Sequence, residues 1–216
     1  MNSISPNLNI MIKATEKASK ILIRDFGEVE NLQVKKKGPR DFVTKTDTRV
    51  EQILIEELTK AKKNYSFLTE ESGKIENKDK DKIWIIDPID GTTNFLHGIP
   101  HFAISVALNV DNELKSALIF DPIKNEIFFA EKNNGAFLNN QQIRVSKKNV
   151  IENCLFTTGG PFVKEHDFVY RKSGSAALDL AYVAAGRYDG YFQKNLNFFK
   201  KFNYKIFLIK DRNNYR

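Results

Sequence analysis

The chain has 216 residues, of which 41% are hydrophobic and 28% are charged, which is typical of a folded globular protein and argues against a disordered one. That length allows one large domain or two small ones with a shared core. The formal net charge of +7 would suit a nucleic-acid or anionic-membrane partner. Because the lysines are scattered in short groups, we favour a solvated surface, with nucleic-acid binding as the lesser alternative.

The sequence offers no segment that would carry the chain into or across a membrane. No apolar run approaches the roughly 20 residues that a membrane span needs, and the first residues lack the apolar core of a signal peptide. The single cysteine, Cys154, has no partner for an internal disulfide, which suits a reducing compartment. We therefore predict a cytoplasmic protein without a membrane partner.

Two amphipathic helices are predicted first along the chain. Ser5 is a suitable N-cap for a helix with proline at its first position, and Gly27 is a suitable end. Thr48 and Glu51 have the spacing of a capping box, so we expect the second helix to begin at Thr48. Asp47 would then lie just outside this helix, where on sequence alone a turn-forming role is favoured over a catalytic one.

A short strand is predicted next, at residues 65–68, and two adjacent glutamates, Glu70 and Glu71, follow it. Adjacent residues at a strand end point in different directions, so only one of the two can face a given site. From the residues alone, solvated charges at a strand end explain the pair equally well.

The most informative stretch begins with an apolar run at residues 83–86, which is typical of a buried strand. This strand would deliver Asp87 and Asp90 into one small volume, on either side of a proline that restricts the backbone. Gly91 and Thr92 follow at once, and small residues there suit a turn whose amide groups point at an anion where a helix begins. Carboxylates for a cation beside amides for a phosphate predict metal-assisted phosphate chemistry. An Asx-turn would explain any one of these residues, but not all of them together.

Further β-rich segments predict an antiparallel meander on which the two helices pack, the first layer of an α+β fold. These segments are residues 102–110, 117–120, 127–130 and 135–138. His97 and His101 lie near the central motif, but a site of hard oxygen ligands does not need them. We assign both histidines to packing or solvent contact.

A second, smaller lobe is predicted to begin near Val150. It contains a strand at residues 154–158 and an alanine-rich helix at residues 175–185, which Gly186 ends. Asp179 within this helix is interpreted as a substrate-edge or structural residue. The predicted domains are residues 1–149, residues 150–197 and a tail, residues 198–216, that is rich in lysine, asparagine and phenylalanine.

Two segments resemble those of one known family. The segment Asp87-Pro-Ile-Asp-Gly-Thr-Thr-Asn94 resembles the signature of the inositol monophosphatase family of magnesium-dependent sugar-phosphate phosphatases. Residues 174–190 resemble the second-domain helix of that family in its bacterial form. The resemblance implies a layered α/β sandwich of the sugar-phosphatase type, Mg²⁺ as cofactor and hydrolysis of inositol monophosphate or a similar small polyol phosphate. It also implies a homodimer, while a fold-mate acting on fructose bisphosphate or a nucleotide bisphosphate is an alternative.

In this resemblance, the metal ligands are carboxylates and one main-chain carbonyl. Glu70 and Asp87, with the carbonyl of Ile89, would hold one Mg²⁺. Asp87 and Asp90 would bridge to a second Mg²⁺. Glu71 would support Glu70 without touching the metal.

The same resemblance implies the remaining site residues. The amides of Gly91 and Thr92 would hold the phosphate oxygens, and Gln193 stands where the family has a glutamate that binds a substrate hydroxyl. The Asp-x-x-Thr-x-x-Asp pattern that ends at Asp47 looks like the family loop that faces the metals. Asp47 with Thr92 would therefore orient the attacking water.

The sequence departs from the family pattern in ways that bear on activity. Besides the glutamine at position 193, residues 159–173 are too few for the helix that family members carry there. After Asn197 the expected aspartate ligand of the second metal is missing, and the composition of residues 198–216 suggests a frameshift followed by early termination. We therefore expect reduced or lost activity. The alternative function is that of a non-catalytic family member acting as an RNA- or transcription-associated binding protein.

Overall fold

The computed structural model describes residues 4–28, 34–36, 42–160 and 168–193. The described helices are α1 (Pro6–Phe26), α2 (Lys45–Ala61), α3 (Thr92–Leu96) and α4 (Ala176–Ala184), with a 3₁₀ turn at Ile151–Asn153. The described strands are β1 (Val34–Lys36), β2 (Phe42–Thr44), β3 (Tyr65–Thr69), β4 (Gly73–Ile75), β5 (Asp79–Asp90), β6 (Ala103–Val110), β7 (Glu113–Asp121), β8 (Glu126–Glu131), β9 (Gly135–Leu138), β10 (Gln141–Gln142), β11 (Leu155–Thr158), β12 (Val169–Arg171) and β13 (Gly190–Phe192). Residues 161–167, within the predicted shortening, and the whole predicted tail lie outside the described ranges. None of the described helices is long and apolar enough to cross a membrane.

Helix α1 has the boundaries that its end residues predict. The Ser5 hydroxyl accepts a hydrogen bond from the Leu8 amide at 3.2 Å, and Pro6 is the first helical residue. At the other end, the Gly27 amide donates to the carbonyl oxygen of Ile23 at 3.2 Å. Both predicted ends of this helix are therefore confirmed.

Helix α2 begins earlier than predicted. It starts three residues before Thr48, so Asp47 lies inside its first turn and is 2% exposed. The predicted capping box is wrong because Glu51 turns toward the loop after β3, where its carboxylate accepts hydrogen bonds from the amides of Glu71 and Ser72, each at 2.9 Å. The tertiary contact of Glu51 thus outweighs the local capping pattern. Asp47 in the first turn still interacts favourably with the helix dipole.

Eight strands of the described chain form one sheet in the order β10-β9-β8-β7-β6-β5-β3-β4. The predicted meander is confirmed, since β5 to β9 pair antiparallel with their neighbours in sequence. Strand β3 is the exception in this sheet, because it runs parallel to β5. Strands β3 and β5 therefore end at the same edge of the sheet, and the residues that follow them are brought together there.

Helices cover both faces of the large sheet. On one face, α1 and α2 bury Leu8 and Leu54 against Trp84 of β5, whereas on the other face α4 packs Ala177 and its other alanines in the cluster that contains Ile85. Trp84 and Ile85 are neighbours in β5 but belong to different clusters, because successive side chains of a strand point to opposite faces. Strand β5 is thus buried on both sides, which holds its last residues in place.

The second lobe contains the predicted strand and helix. Strand β11 pairs in parallel with β12 and β13, and Ser175 caps α4 by accepting a hydrogen bond from the Leu178 amide at 3.3 Å. Gly186 follows α4 with a φ of +70°, in the left-handed region that favours glycine. Helix α4 shares its cluster with Tyr191 of β13, so the layers are helix pair, large sheet, helix and small sheet. This confirms the predicted α+β sandwich, while the predicted domain boundaries stay a prediction.

Candidate active site

A bulge at the end of β5 turns two carboxylates to the same face of the sheet. Asp87 lies opposite Ser105 of β6 and Asp90 lies opposite Ala103, so β5 uses one more residue than β6 over this step. In a regular strand, residues three apart point to opposite faces, whereas the extra residue of a bulge brings them to the same one. Asp87 and Asp90 thus share the face that α4 covers, and each is 1% exposed.

Gly91 makes the turn from β5 into α3. Its φ is +100°, and a Cβ at this position would lie 3.1 Å from the carbonyl oxygen of His101, so the turn needs glycine. The Thr92 hydroxyl donates to the carbonyl oxygen of Ile89 at 2.9 Å and closes the turn. A carbonyl oxygen has two lone pairs, so this bond is compatible with the predicted metal contact of Ile89. The amides of Gly91 and Thr92 stand at the start of a helix, where backbone N–H groups have no intrahelical acceptor.

Glu70 follows β3 at the same edge of the sheet as Asp87. Thr69, the last residue of β3, lies opposite Ile86, and the Glu70 amide donates to the Ile86 carbonyl oxygen at 3.2 Å. The backbone therefore brings Glu70 beside Asp87, as expected where parallel strands end together. The Glu70 side chain is exposed, whereas that of Asp87 is buried.

The predicted metal ligands have the chemistry that suits Mg²⁺. Glu70, Asp87 and Asp90 offer carboxylate oxygens and Ile89 offers a carbonyl oxygen, which are the hard donors that this ion prefers. Carboxylates as deeply buried as Asp87 and Asp90 are stable only with hydrogen-bond donors or a cation nearby. Among the described residues, no three histidine, cysteine, aspartate or glutamate side chains lie close enough to hold a metal ion together. Glu70 therefore does not complete a three-carboxylate cluster in this conformation, and the ligand set stays a prediction.

The first turn of α2, which carries Asp47, is tied to the end of α1. The buried hydroxyl of Thr46 donates to Oδ2 of Asp25 at 2.8 Å, and Arg49 donates to the same oxygen at 3.0 Å. These bonds fix the turn in which Asp47 is buried. The predicted pairing of Asp47 with Thr92 stays a prediction.

Three hydrogen bonds that were not predicted from the sequence join the second lobe to the end of β5 and to α3. Oδ2 of Asp90 accepts hydrogen bonds from the Ser175 hydroxyl at 2.6 Å and from the Ala177 amide at 2.7 Å. The Asn94 side chain donates to the carbonyl oxygen of Ser173 at 2.8 Å. These contacts join residues 79 to 87 positions apart, and the helix-capping position of Ser175 was the only signal that the sequence offered.

Asp179 of α4 is fully buried, and its carboxylate accepts a hydrogen bond from the Ser173 hydroxyl. Burial raises the pKa of this carboxyl to about 6, and the nearby charge of Asp90 acts in the same direction. Because the side chain has no exposed surface, the structural role is favoured over the substrate-edge role.

The two histidines near the motif behave as predicted. His97 is exposed at the end of α3. The His101 ring packs edge-on against Tyr182, with ring centroids 6.0 Å apart, and burial lowers the pKa of its imidazole. These contacts are packing and solvent contact, in agreement with the assignment made from the sequence.

Gln193, the predicted substrate-binding residue, follows β13. Its Oε1 accepts a hydrogen bond from the Tyr191 hydroxyl, and its side chain lies next to Gly159, which follows β11. Strands β11 and β13 are parallel, so both residues lie at the edge where these strands end. The role of Gln193 toward a substrate stays a prediction.

The helix pair, the large sheet, the buried helix and the small sheet form a layered α+β fold. Two buried carboxylates lie at the end of its central strand. The structure superposes with a TM-score of 0.89 on the extragenic suppressor protein suhB from Bartonella henselae, which is 43% identical and is matched over 94% of this chain and 84% of that one. The profile of the inositol monophosphatase family matches residues 4–200. The chain therefore belongs to the inositol monophosphatase family.

Relatives of this chain carry two kinds of name. The inositol-1-monophosphatase of Rhizobium meliloti is 48% identical, over 88% of this chain and 77% of the relative. The Nus factor SuhB of Escherichia coli K12 is 38% identical, also over 88% of this chain and 77% of the relative. The resemblance found in the sequence is thus confirmed, and by family the chain is a phosphatase.

Proposed function

We propose that this protein is a Mg²⁺-dependent phosphomonoesterase that hydrolyses inositol monophosphate or a similar small polyol phosphate. The observation that carries the proposal is the bulge in β5, which turns the buried carboxylates of Asp87 and Asp90 to one face beside the Gly91 turn. The name of the Rhizobium meliloti relative, inositol-1-monophosphatase, supports the substrate class.

Oxygen ligands from the ends of two neighbouring strands would hold the metal. Glu70 and Asp87, with the carbonyl of Ile89, would hold one Mg²⁺, and Asp87 and Asp90 would hold a second. When bound, Mg²⁺ supplies positive charge that makes water a better nucleophile and offsets the charge that develops on the phosphate. Since the Glu70 side chain is exposed in this structure, it would turn inward to take part.

The chain's own groups would bind the phosphate and aim the water. The amides of Gly91 and Thr92 donate to phosphate oxygens, as helix starts do for anions. Asp47, with Thr92, accepts a hydrogen bond from the attacking water and orients it for in-line displacement. Gln193 binds a substrate hydroxyl through its neutral amide, which is a weaker contact than a carboxylate would make. The rate is therefore expected to lie below that of relatives with glutamate at this position.

The test is phosphate release from myo-inositol 1-phosphate as Mg²⁺ is titrated. The proposal expects release that rises with Mg²⁺ in the wild-type chain and falls at least about 100-fold in Asp90→Asn, because loss of a supporting partner alone often costs 10–100-fold. Asp81→Asn is the matched control, since Asp81 is an exposed aspartate on the same strand. Circular dichroism establishes that each variant is folded. Equal rates in Asp90→Asn and the wild type would contradict the proposal.

The second candidate function is non-catalytic binding in transcription. It is favoured by the relatives named Nus factor SuhB and by the net charge of +7. Binding to RNA through its phosphates must weaken steeply with salt, because counterions are released. A folded chain that releases no phosphate but binds RNA with a steep salt dependence would favour this function over the phosphatase. If the chain does not retard RNA in a gel-shift assay at low salt, this function is refuted.

A further inference from the structure

The Asp90 carboxylate is hydrogen-bonded to residues at the start of α4, more than 80 positions later in the chain. Its Oδ2 accepts hydrogen bonds from the Ser175 hydroxyl at 2.6 Å and from the Ala177 amide at 2.7 Å. Ser175 and Ala177 are 0% exposed and Asp90 is 1% exposed, so water does not compete for these bonds. A buried hydrogen bond to a charged group contributes more than an exposed one, and losing its donor leaves the charge poorly satisfied.

Two hydrogen bonds fix the Ser175 hydroxyl, which is the acceptor in one and the donor in the other. It accepts from the Leu178 amide at 3.3 Å as the N-cap of α4, and it donates its hydrogen to Asp90. The start of α4, where the helix dipole is positive, therefore faces the carboxylate. With Oδ2 held by two donors, the carboxylate cannot rotate without losing both, and the direction of its other oxygen is set.

A second contact keeps the segment before α4 against the motif. The Asn94 side chain donates to the carbonyl oxygens of His101 at 2.7 Å and Ser173 at 2.8 Å. Gly174 has a φ of +94°, and a Cβ there would lie 2.7 Å from Nδ2 of Asn94. The backbone of this segment thus packs directly against the Asn94 amide, and the next residue, Ser175, lies within hydrogen-bond distance of Asp90.

We propose that Ser175 is a positioning residue for the phosphatase reaction: the second lobe, through the Ser175 hydroxyl, sets the orientation of the Asp90 carboxylate that metal binding requires. This inference rests on the proposed function, since it gives Asp90 the role of a metal ligand. It adds that the catalytic motif is incomplete without α4, although the motif itself lies wholly in the first lobe.

The experiment compares two serine caps of the same chemistry. Ser175→Ala removes the donor to Asp90 together with the cap of α4, whereas Ser5→Ala removes the matching cap of α1, where Ser5 accepts from the Leu8 amide. Ser175→Thr keeps a hydroxyl and a good cap. If Ser175→Ala does not fold, Ser175→Gly replaces it, because glycine at an N-cap is tolerated better than alanine.

Two measurements separate positioning from stability. The first is the rise in melting temperature caused by MgCl₂ alone, without substrate, which reports metal binding to the folded chain. The second is phosphate release from myo-inositol 1-phosphate, resolved into kcat, KM and the Mg²⁺ concentration for half-maximal rate. For Ser175→Ala we expect at least about tenfold more Mg²⁺ to be needed in both measurements. We also expect kcat to fall at least about tenfold while KM stays within about twofold.

The control and the rescue decide the outcome. Ser5→Ala should lower the melting temperature without changing the Mg²⁺ requirement, and Ser175→Thr should restore the wild-type requirement. Equal Mg²⁺ requirements in Ser175→Ala and Ser5→Ala would overturn the inference while leaving the proposed function intact. A wild-type chain that neither gains melting temperature nor releases phosphate with Mg²⁺ would overturn the proposed function, and the inference with it. The melting measurement tests the inference even in a chain with little turnover.

Discussion

Glu51 on α2 and Ser72 in the loop after β3 are joined by two hydrogen bonds, one from the Ser72 amide at 2.9 Å and one from the Ser72 hydroxyl at 2.5 Å. The same carboxylate accepts from the Glu71 amide, so Glu51 holds the loop that begins with Glu70. Helix α2 therefore carries Asp47 in its first turn and fixes the Glu70 loop one turn later. The position of Glu70 depends on a buried carboxylate that is not itself a predicted ligand.

Replacing Glu51 by alanine should loosen this loop. Three donors lose their acceptor, so Glu51→Ala is expected to lower the free energy of unfolding by about 1–3 kcal/mol. It should also raise the Mg²⁺ concentration for half-maximal phosphate release, because Glu70 is no longer held near Asp87. Urea denaturation and a Mg²⁺ titration measure the two effects. Glu56→Ala, at an exposed position of the same helix, should change neither, and equal behaviour of both variants would show that the loop does not depend on Glu51.

Replacing Gly91 by alanine should disturb the motif next to Asp90. The positive φ alone costs about 1–2 kcal/mol for an L-residue, and the added Cβ would meet the His101 carbonyl oxygen at 3.1 Å and the Phe102 Cβ at 3.2 Å. We expect Gly91→Ala to lower phosphate release at least about tenfold. Gly98→Ala is the control, since Gly98 also has a positive φ, +66°, but a Cβ there has no neighbour within 4 Å. If both variants lose activity alike, backbone strain rather than contact at the turn is responsible.

The parts of the fold that were predictable from the sequence depend on local signals. Ser5 and Gly27 mark the ends of α1, and short apolar runs between turn residues mark the strands of the meander. The start of α2 was not predictable, because Glu51 matches a local capping pattern but binds Ser72, 21 residues away. A local sequence pattern does not predict a partner at that distance. The buried Glu51 carboxylate binds the loop after β3 instead of capping the helix.

The site, too, was only partly predictable from the sequence. The resemblance gave its residue types, but the spacing of Asp87 and Asp90 would place them on opposite faces of a regular strand. A bulge in the pairing of β5 with β6 brings the two carboxylates together. This bulge depends on the register between two strands, which the residues of β5 alone do not determine. The contact between Asp90 and Ser175 spans 85 residues, so only the packing of α4 on the large sheet reveals it.

The buried carboxyl of Asp179 should make stability depend on pH. Its pKa is raised from 3.8 to about 6, so between these values the folded chain keeps a proton that the unfolded chain has lost. The free energy of unfolding therefore falls as the pH rises through this window, by at most about 3 kcal/mol for a shift of this size. Asp179→Asn removes the ionisation and can still accept from the Ser173 hydroxyl. Its stability relative to the wild type should rise as the pH increases from about 4 to about 7, measured by urea denaturation without metal. A stability difference between Asp179→Asn and the wild type that stays constant with pH would refute the assignment.

Replacing Thr46 by valine tests the bond that ties α2 to α1. The Thr46 hydroxyl, on a residue 0% exposed, donates to Oδ2 of Asp25 at 2.8 Å, and valine keeps the shape but not the donor. Because the acceptor is a buried carboxylate, Thr46→Val should lower the free energy of unfolding by roughly 1.5–3 kcal/mol. Thr48→Val is the matched control at an exposed position of the same helix, and we expect a change within about 0.5 kcal/mol there. Urea denaturation of both variants provides the comparison. Equal losses would mean that helix propensity, and not the bond to Asp25, holds the turn that carries Asp47.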